Sequence, residues 1–130
     1  MIVDASAILA ILLKEPEEYR FADVLTEQAD TVALSPVNYL EVALRVDRGD
    51  MAVTSDKLDQ IISRMNVRLV DVTPEQALLA REAYRQFGRG NHPARLNLGD
   101  CFAYALAKAR REPLLFKGDD FRMTDIEAAI

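Results

Sequence analysis

The chain has 130 residues, half of them hydrophobic, and a formal net charge of -5 at pH 7. This length and composition favour one folded domain spanning residues 1–130 and exclude a disordered chain. The acidic balance argues against a broad basic face that wraps nucleic acid, although a local basic patch is compatible with it. One cysteine and one histidine exclude a disulfide framework and give no support to a Cys/His zinc site. Since no signal peptide or membrane span is recognisable, we expect a cytoplasmic protein.

The predicted elements alternate between short strands and helices. In chain order they are a strand at residues 1–3, helices at 5–13 and 17–29, a strand at 31–34, a helix at 36–47 closed by residues 48–50, a helix at 55–66, a strand at 67–72, helices at 73–87 and 100–110, and a strand at 113–116. This alternation is typical of an α/β sandwich around a mostly parallel sheet, and we expect four or five strands with right-handed crossovers.

The third predicted helix carries a carboxylate within an apolar stripe. Val37, Leu40 and Leu44 occupy positions i, i+3 and i+7 of one face, and Glu41 occupies position i+4. A carboxylate at such a position is costly unless it is paired or bound to a metal. Arg45, one turn later, is the structural alternative, because it can form an ion pair with Glu41.

Further acidic residues fall where the ends of parallel strands meet. Asp4 follows the first strand, Asp100 opens a helix, and the pair Asp119 and Asp120 follows the last strand. Strand ends and the starts of the next helices share one edge of a parallel sheet, so these side chains can converge. Each also has a structural interpretation, as a helix cap or as ordinary loop polarity. Asp71 lies in an alternating strand and is interpreted as structural.

Converging carboxylates repel one another, and a divalent cation relieves that repulsion. An all-oxygen donor set selects Mg²⁺ or Mn²⁺ rather than zinc. Such a cation activates water and stabilises the charge on a phosphodiester undergoing in-line attack. A Mg²⁺-dependent phosphoryl-transfer domain of another family stays open as an alternative. A dehalogenase-like phosphatase, however, needs a second aspartate where Ser6 stands, and a response-regulator receiver needs an acid next to Asp4.

In their order and spacing, four motifs resemble those of the PIN-domain family, and within it the VapC-type ribonuclease toxins. They are MIVDAS at residues 1–6, YLE at 39–41, LNLGDCF at 96–102, and LLFKGDDF at 114–121 followed by TDI at 124–126. The resemblance covers essentially the whole chain. It implies a PIN-type three-layer α/β/α sandwich with Mg²⁺- or Mn²⁺-dependent endoribonuclease activity. It also implies a cognate VapB-type antitoxin and a homodimer or higher assembly.

The resemblance also assigns roles to residues. Asp4 and Asp100 match the family's principal metal-binding aspartates, Glu41 matches its third acidic residue, and Ser6 matches a supporting hydroxyl residue. A water activated by the cation would be the nucleophile. A non-catalytic PIN-like module that keeps the acidic groove for partner binding is the alternative.

The fourth acidic position departs from the family pattern. Many relatives carry an aspartate three residues before Phe121, and here that position is Gly118. Asp119 or Asp120 must then serve, and we favour Asp120.

A basic segment at residues 81–95 precedes Asp100. Its four arginines against one glutamate give a local charge of +3. The residues expected to hold RNA phosphates beside the metal are Arg85, Arg89, His92 and Arg95. A solvated helix face followed by a loop is the structural alternative.

Overall fold

The computed structural model describes residues 1–49 and 55–130. In this part of the chain, one parallel sheet contains four strands in the order β3-β2-β1-β4. The strands are β1 (Ile2–Val3), β2 (Ala33–Leu34), β3 (Arg68–Leu69) and β4 (Leu114–Leu115). The predicted parallel α/β fold is therefore confirmed, with strands shorter than the apolar runs that predicted them.

Six helices in the described part of the chain connect and flank these strands. They are α1 (Ala5–Leu12), α2 (Glu18–Glu27), α3 (Pro36–Val46), α4 (Ser55–Arg64), α5 (Pro74–Phe87) and α6 (Leu98–Arg110), and a 3-10 turn spans Phe121–Met123. Within the same residues, no helix combines the length and apolarity needed to cross a membrane. The predicted end of the third helix includes Asp50, which lies outside the described residues.

Alternate strand residues send their side chains to opposite faces of the sheet and divide the core in two. Val3 and Leu115 face one side, where they pack with residues of α1 to α4. Ile2 and Leu114 face the other side, where they pack with residues of α5 and α6. Helices on both faces of one sheet make the three-layer α/β/α sandwich that the sequence predicted.

Helix α3 buries a different face from the one predicted. Val42 and Val46 are buried, whereas Leu40 and Leu44 are 53% and 61% exposed. The helix carries two apolar stripes, and the valine stripe packs into the core with residues of the sheet, α1, α2 and α4, whereas the leucine stripe does not. Glu41 therefore lies at the border between the buried and exposed faces rather than within a buried stripe.

The start of α6 also differs from the prediction. Asp100 was expected to open the helix, but Asn97 is the N-cap and Asp100 occupies the third helical position. The Asn97 side chain accepts a hydrogen bond from the Asp100 N–H, and the Asp100 carboxylate accepts one from the Asn97 N–H, both at 2.9 Å. This reciprocal capping box satisfies two backbone donors and orients the Asp100 carboxylate.

Candidate active site

Asp4 lies at the carboxyl end of β1 and also caps α1. Its side chain is only 3% exposed. Its Oδ2 accepts hydrogen bonds from the Ser6 N–H at 2.9 Å and from the Ser6 hydroxyl at 2.6 Å. The Ser6 Oγ in turn accepts the Lys117 N–H at 3.0 Å. Ser6 therefore ties the loop after β4 to Asp4 and holds that carboxylate in one orientation.

Asn38, on α3, joins three parts of the site. It is fully buried, and its Nδ2 donates to Glu41 Oε2 at 2.9 Å and to the Gly99 carbonyl at 3.1 Å. The same nitrogen lies 3.4 Å from Asp4 Oδ1. The sequence analysis missed Asn38. Its signal was its position three residues before Glu41, which places both side chains on one face of the helix.

The Glu41 carboxylate packs directly against Gly99. A Cβ atom added at residue 99 would lie 2.1 Å from each carboxylate oxygen of Glu41, well inside van der Waals contact. Glycine at position 99 therefore leaves the space that Glu41 occupies. Since Gly99 immediately precedes Asp100, this packing brings α3 close to the start of α6.

Burial and mutual repulsion raise the pKa of the acidic side chains. Burial, opposed by the Asn97 hydrogen bond, raises the pKa of Asp100 to about 7, and the negative charges of Asp4, Glu41 and Asp120 contribute to the rise. Burial also raises the pKa of Asp4, against the hydrogen bonds that Ser6 donates. Burial and the charge on Asp4 raise the pKa of Glu41. The carboxylates that the sequence predicted to converge are thus close enough to act on one another.

The two aspartates after β4 lie in different surroundings. Asp119 is 89% exposed, and its carboxylate lies 3.9 Å from the Arg122 guanidinium. Asp120 is also exposed, but its charge raises the pKa of both Asp4 and Asp100. Asp120 is therefore the member of the pair that approaches the carboxylate cluster, and its part in catalysis stays a prediction.

A cavity of about 620 Å³ opens over the cluster. Its lining includes the carboxylates of Asp4, Glu41 and Asp100 together with the side chains of Arg45 and Arg48. The sequence analysis considered Arg45 only as an ion-pair partner and did not single out Arg48. Their signal was their spacing of four and seven residues after Glu41, which favours the same side of α3.

Comparison with known proteins identifies the family of the chain. The PIN domain family matches residues 1–127. The chain belongs to the PIN-domain family. The VapC ribonuclease Mb0625 of Mycobacterium bovis and ribonuclease VapC28 of Mycobacterium tuberculosis are each 49% identical to it over 131 residues, covering 100% of this chain and 98% of the relative. Within the PIN family the chain groups with the VapC ribonucleases, so the phosphatase and receiver alternatives are excluded.

A solved structure supports the fold of this PIN domain. The crystal structure of Mycobacterium tuberculosis VapC20, described as a sarcin-ricin loop cleaving toxin, has a TM-score of 0.74 to this chain. The match covers 96% of this chain and 95% of the other, at 16% sequence identity. At that identity the likeness concerns the fold alone.

The basic segment of the PIN domain lies apart from the cavity lining. Arg85 lies 3.8 Å from Glu82 in an exposed pair. His92 accepts the Ala94 N–H on its Nδ1 at 3.1 Å, and its ring packs edge-on against Phe87. His92 therefore shapes the loop between α5 and α6. The predicted RNA contacts of this segment, at Arg85, Arg89, His92 and Arg95, stay predictions.

The acidic residues of this PIN domain suit a hard divalent cation. Within residues 1–49 and 55–130, no three His, Cys, Asp or Glu side chains form a closed metal-ligand set. Mg²⁺ does not require one, because it keeps several waters and is commonly held by one or two carboxylates. The cavity offers oxygen donors whose mutual repulsion a divalent cation would relieve. The donor set therefore fits Mg²⁺ or Mn²⁺.

Proposed function

We propose that this VapC ribonuclease is an endoribonuclease that hydrolyses RNA phosphodiester bonds with the help of Mg²⁺ or Mn²⁺. The observation that carries the proposal is the convergence of Asp4, Glu41 and Asp100 around one cavity. There the charge of Asp4 contributes to the raised pKa of Glu41, and the charges of both contribute to the raised pKa of Asp100. Such a concentration of buried and half-buried carboxylates is unfavourable for the fold alone. It becomes useful when a cation and a phosphodiester share the site.

In this proposal Asp4 and Asp100 hold the cation, directly or through water, and Asp120 adds negative charge at the rim. When bound, the cation supplies positive charge that activates water and offsets charge developing on the phosphodiester. Ser6 and Asn38 keep the carboxylates in place through the hydrogen bonds described above.

Glu41 is the proposed general base. Its half-buried carboxylate lines the same cavity as Asp4 and Asp100, and a carboxylate in that position is suited to accept a proton from water. In hydrolysis the attacking water loses a proton as its oxygen bonds to phosphorus; the P–O bond to the ribose breaks, and the departing ribose oxygen takes up a proton from solvent. Glu41 can accept that proton, while its contacts with Asn38 and Gly99 hold it beside the cavity.

Purified protein should cleave RNA with Mg²⁺ or Mn²⁺, and EDTA should abolish the cleavage. Asp4→Asn and Asp100→Asn should each remove the activity while the protein stays folded by circular dichroism. The matched control is Asp71→Asn, an exposed aspartate that also follows a parallel strand. If both site variants retained full activity, the assigned site would be wrong.

The same assay decides the non-catalytic alternative. A wild-type protein that binds RNA or a protein partner but cleaves no RNA with either cation would be an interaction module. Asp119→Asn and Asp120→Asn complete the comparison, and we expect only the Asp120 variant to lose activity.

The proposal extends to partners. A VapB-type antitoxin would cover the cavity, beside which Leu44 is 61% exposed and offers apolar surface. A homodimer or higher toxin–antitoxin assembly is also proposed. Inhibition of cleavage by the co-purified antitoxin would test the first. A mass measured by light scattering would test the second, and a monomer at high concentration would contradict it.

A further inference from the structure

We propose that Arg45 and Arg48 hold the RNA phosphates next to the scissile bond, in place of the basic segment at residues 81–95. This inference rests on the proposed ribonuclease function and names the substrate-binding side of the same cavity. Both arginines line that cavity together with the acidic cluster.

Charge balance is the first argument. The four carboxylates at 4, 41, 100 and 120 carry -4 when ionised, and one divalent cation leaves -2. A site with that residual charge would repel the phosphates on either side of the scissile bond. The two arginines that line the same cavity bring the balance to zero, and the whole chain, at -5, offers no general attraction for RNA.

The position of the arginines is the second argument. Arg45 lies one helical turn after Glu41 on α3, and Arg48 follows just beyond the C-cap Asp47. A strand whose reacting phosphate lies at the carboxylates would therefore meet the arginines with its neighbouring phosphates. Arginine suits this task because its planar guanidinium can bind two phosphate oxygens at once.

The remaining lining favours a nucleotide over an isolated anion. Leu9 and Leu44 contribute apolar surface to the cavity, and Asn97 contributes a polar side chain. A nucleotide presents a charged phosphate, an apolar base face and hydrogen-bonding edges, so this mixture of wall types matches it. An acidic peptide from a protein partner would bind the arginines, but the carboxylates of the cavity would repel its negative charges.

The competing segment has weaker support from the structure. His92 uses Nδ1 to accept a backbone hydrogen bond within its loop. Among the described residues that line the cavity, none comes from 81–95. Phosphates bound there would lie away from the acidic cluster.

The test measures RNA binding by fluorescence anisotropy in the Asp100→Asn background, so that cleavage does not interfere. The probe is a labelled single-stranded RNA, titrated over a series of salt concentrations. We expect Arg48→Gln to weaken binding about five- to tenfold and to reduce the salt slope by about 0.7, the value for one phosphate contact on a single strand. The matched control, Arg20→Gln, changes an exposed arginine on α2 outside the cavity lining and should leave affinity and slope unchanged.

A second pair of variants separates charge from geometry. Arg45→Gln should weaken binding, and Arg45→Lys should restore part of the salt slope while recovering less affinity, because lysine lacks the planar fork. In the otherwise wild-type enzyme, Arg48→Gln should raise KM with a smaller effect on kcat, since it removes binding away from the reacting atoms.

The outcomes distinguish this inference from the proposed function. If wild-type protein cleaves RNA but Arg48→Gln and Arg45→Gln bind RNA normally, the phosphate assignment is overturned and the ribonuclease proposal stands. If the wild type cleaves no RNA yet both variants lose RNA affinity, the ribonuclease proposal fails and the binding assignment stands. If the variants instead lose affinity only for a polyglutamate peptide, the arginines serve an acidic protein partner and the RNA assignment is wrong.

Discussion

Replacing Asp100 by asparagine is expected to stabilise the metal-free fold while removing ribonuclease activity. The asparagine Oδ1 can still accept the Asn97 N–H, so the capping box at the start of α6 loses little. The substitution removes a negative charge that burial and the neighbouring carboxylates make unfavourable, which is why the pKa of Asp100 is raised to about 7. The gain in stability therefore measures the cost of burying an ionised carboxylate beside its acidic neighbours, a cost that a bound cation would offset.

The size and pH dependence of the effect follow from that pKa. The rise from 3.8 to about 7 corresponds to about 4 kcal/mol, and solvent screening of this partly exposed side chain reduces it to about 1–2 kcal/mol. Because the folded-state pKa is raised, the ionised carboxylate destabilises the fold fully above pH 7, and the penalty disappears as the pH falls towards 3.8. We expect the Tm of Asp100→Asn to rise by about 3–8 °C at pH 8 and to change little at pH 4.

Thermal unfolding followed by circular dichroism in EDTA, at pH 4 and pH 8, measures this difference. Repeating the melts with Mg²⁺ should raise the Tm of the wild type more than that of the variant, because the wild type binds the ion more tightly. Asp71→Asn is the control and should show no pH-dependent gain. A lower Tm for Asp100→Asn at pH 8 in EDTA, or an equal shift at both pH values, would refute the reasoning.

Three other substitutions test how the carboxylates are held. Ser6→Ala removes the hydroxyl that bridges Asp4 and the loop after β4. We expect the free energy of unfolding measured in urea to fall by about 1–3 kcal/mol, whereas Ser6→Thr should keep most of the wild-type stability. Gly99→Ala places a Cβ 2.1 Å from the Glu41 carboxylate. Initial-rate assays should show kcat reduced at least about tenfold, which corresponds to a rise of about 1.4 kcal/mol in the activation free energy. An unchanged kcat would show that Glu41 is dispensable. Asn38→Ala removes the donor to Glu41 and to the Gly99 carbonyl. We expect it to lower the free energy of unfolding by about 1–3 kcal/mol and to lower kcat as well. If stability fell and kcat did not, the role of Asn38 would be structural only.

The layered fold could be predicted because the necessary information is local. Short apolar runs at the strands and helix-start signals such as Ser35 before Pro36 define each element without reference to the others. The Ser35 hydroxyl accepts the Val37 N–H as that signal predicts. Parallel pairing then follows from the alternation of strands and helices, because a helix that connects two strands of one sheet almost always forms a right-handed crossover between parallel strands.

The rotation of α3 could not be predicted, because it depends on which of two apolar stripes packs better against its neighbours. The leucine stripe looked more hydrophobic, yet the valines at 42 and 46 are the residues that face the core. That single error hid most of the site residues that the sequence analysis missed. The spacing of Asn38, Arg45 and Arg48 from Glu41 is present in the sequence, but the orientation of Glu41 in the structure is what gives it meaning.

The turn after β4 shows why the fourth acidic residue could be narrowed to a pair but not assigned from the sequence. Gly118 has φ +94°, a left-handed conformation that favours glycine, and a Cβ there would meet nothing within 4 Å. An aspartate at position 118 would therefore have a strained backbone, and its Cβ would lie in open space rather than against the carboxylate cluster. Because this turn directs Asp119 to Arg122, Asp120 is left as the carboxylate whose charge reaches Asp4 and Asp100. The glycine that departs from the family pattern thus permits the left-handed turn that precedes Asp119 and Asp120.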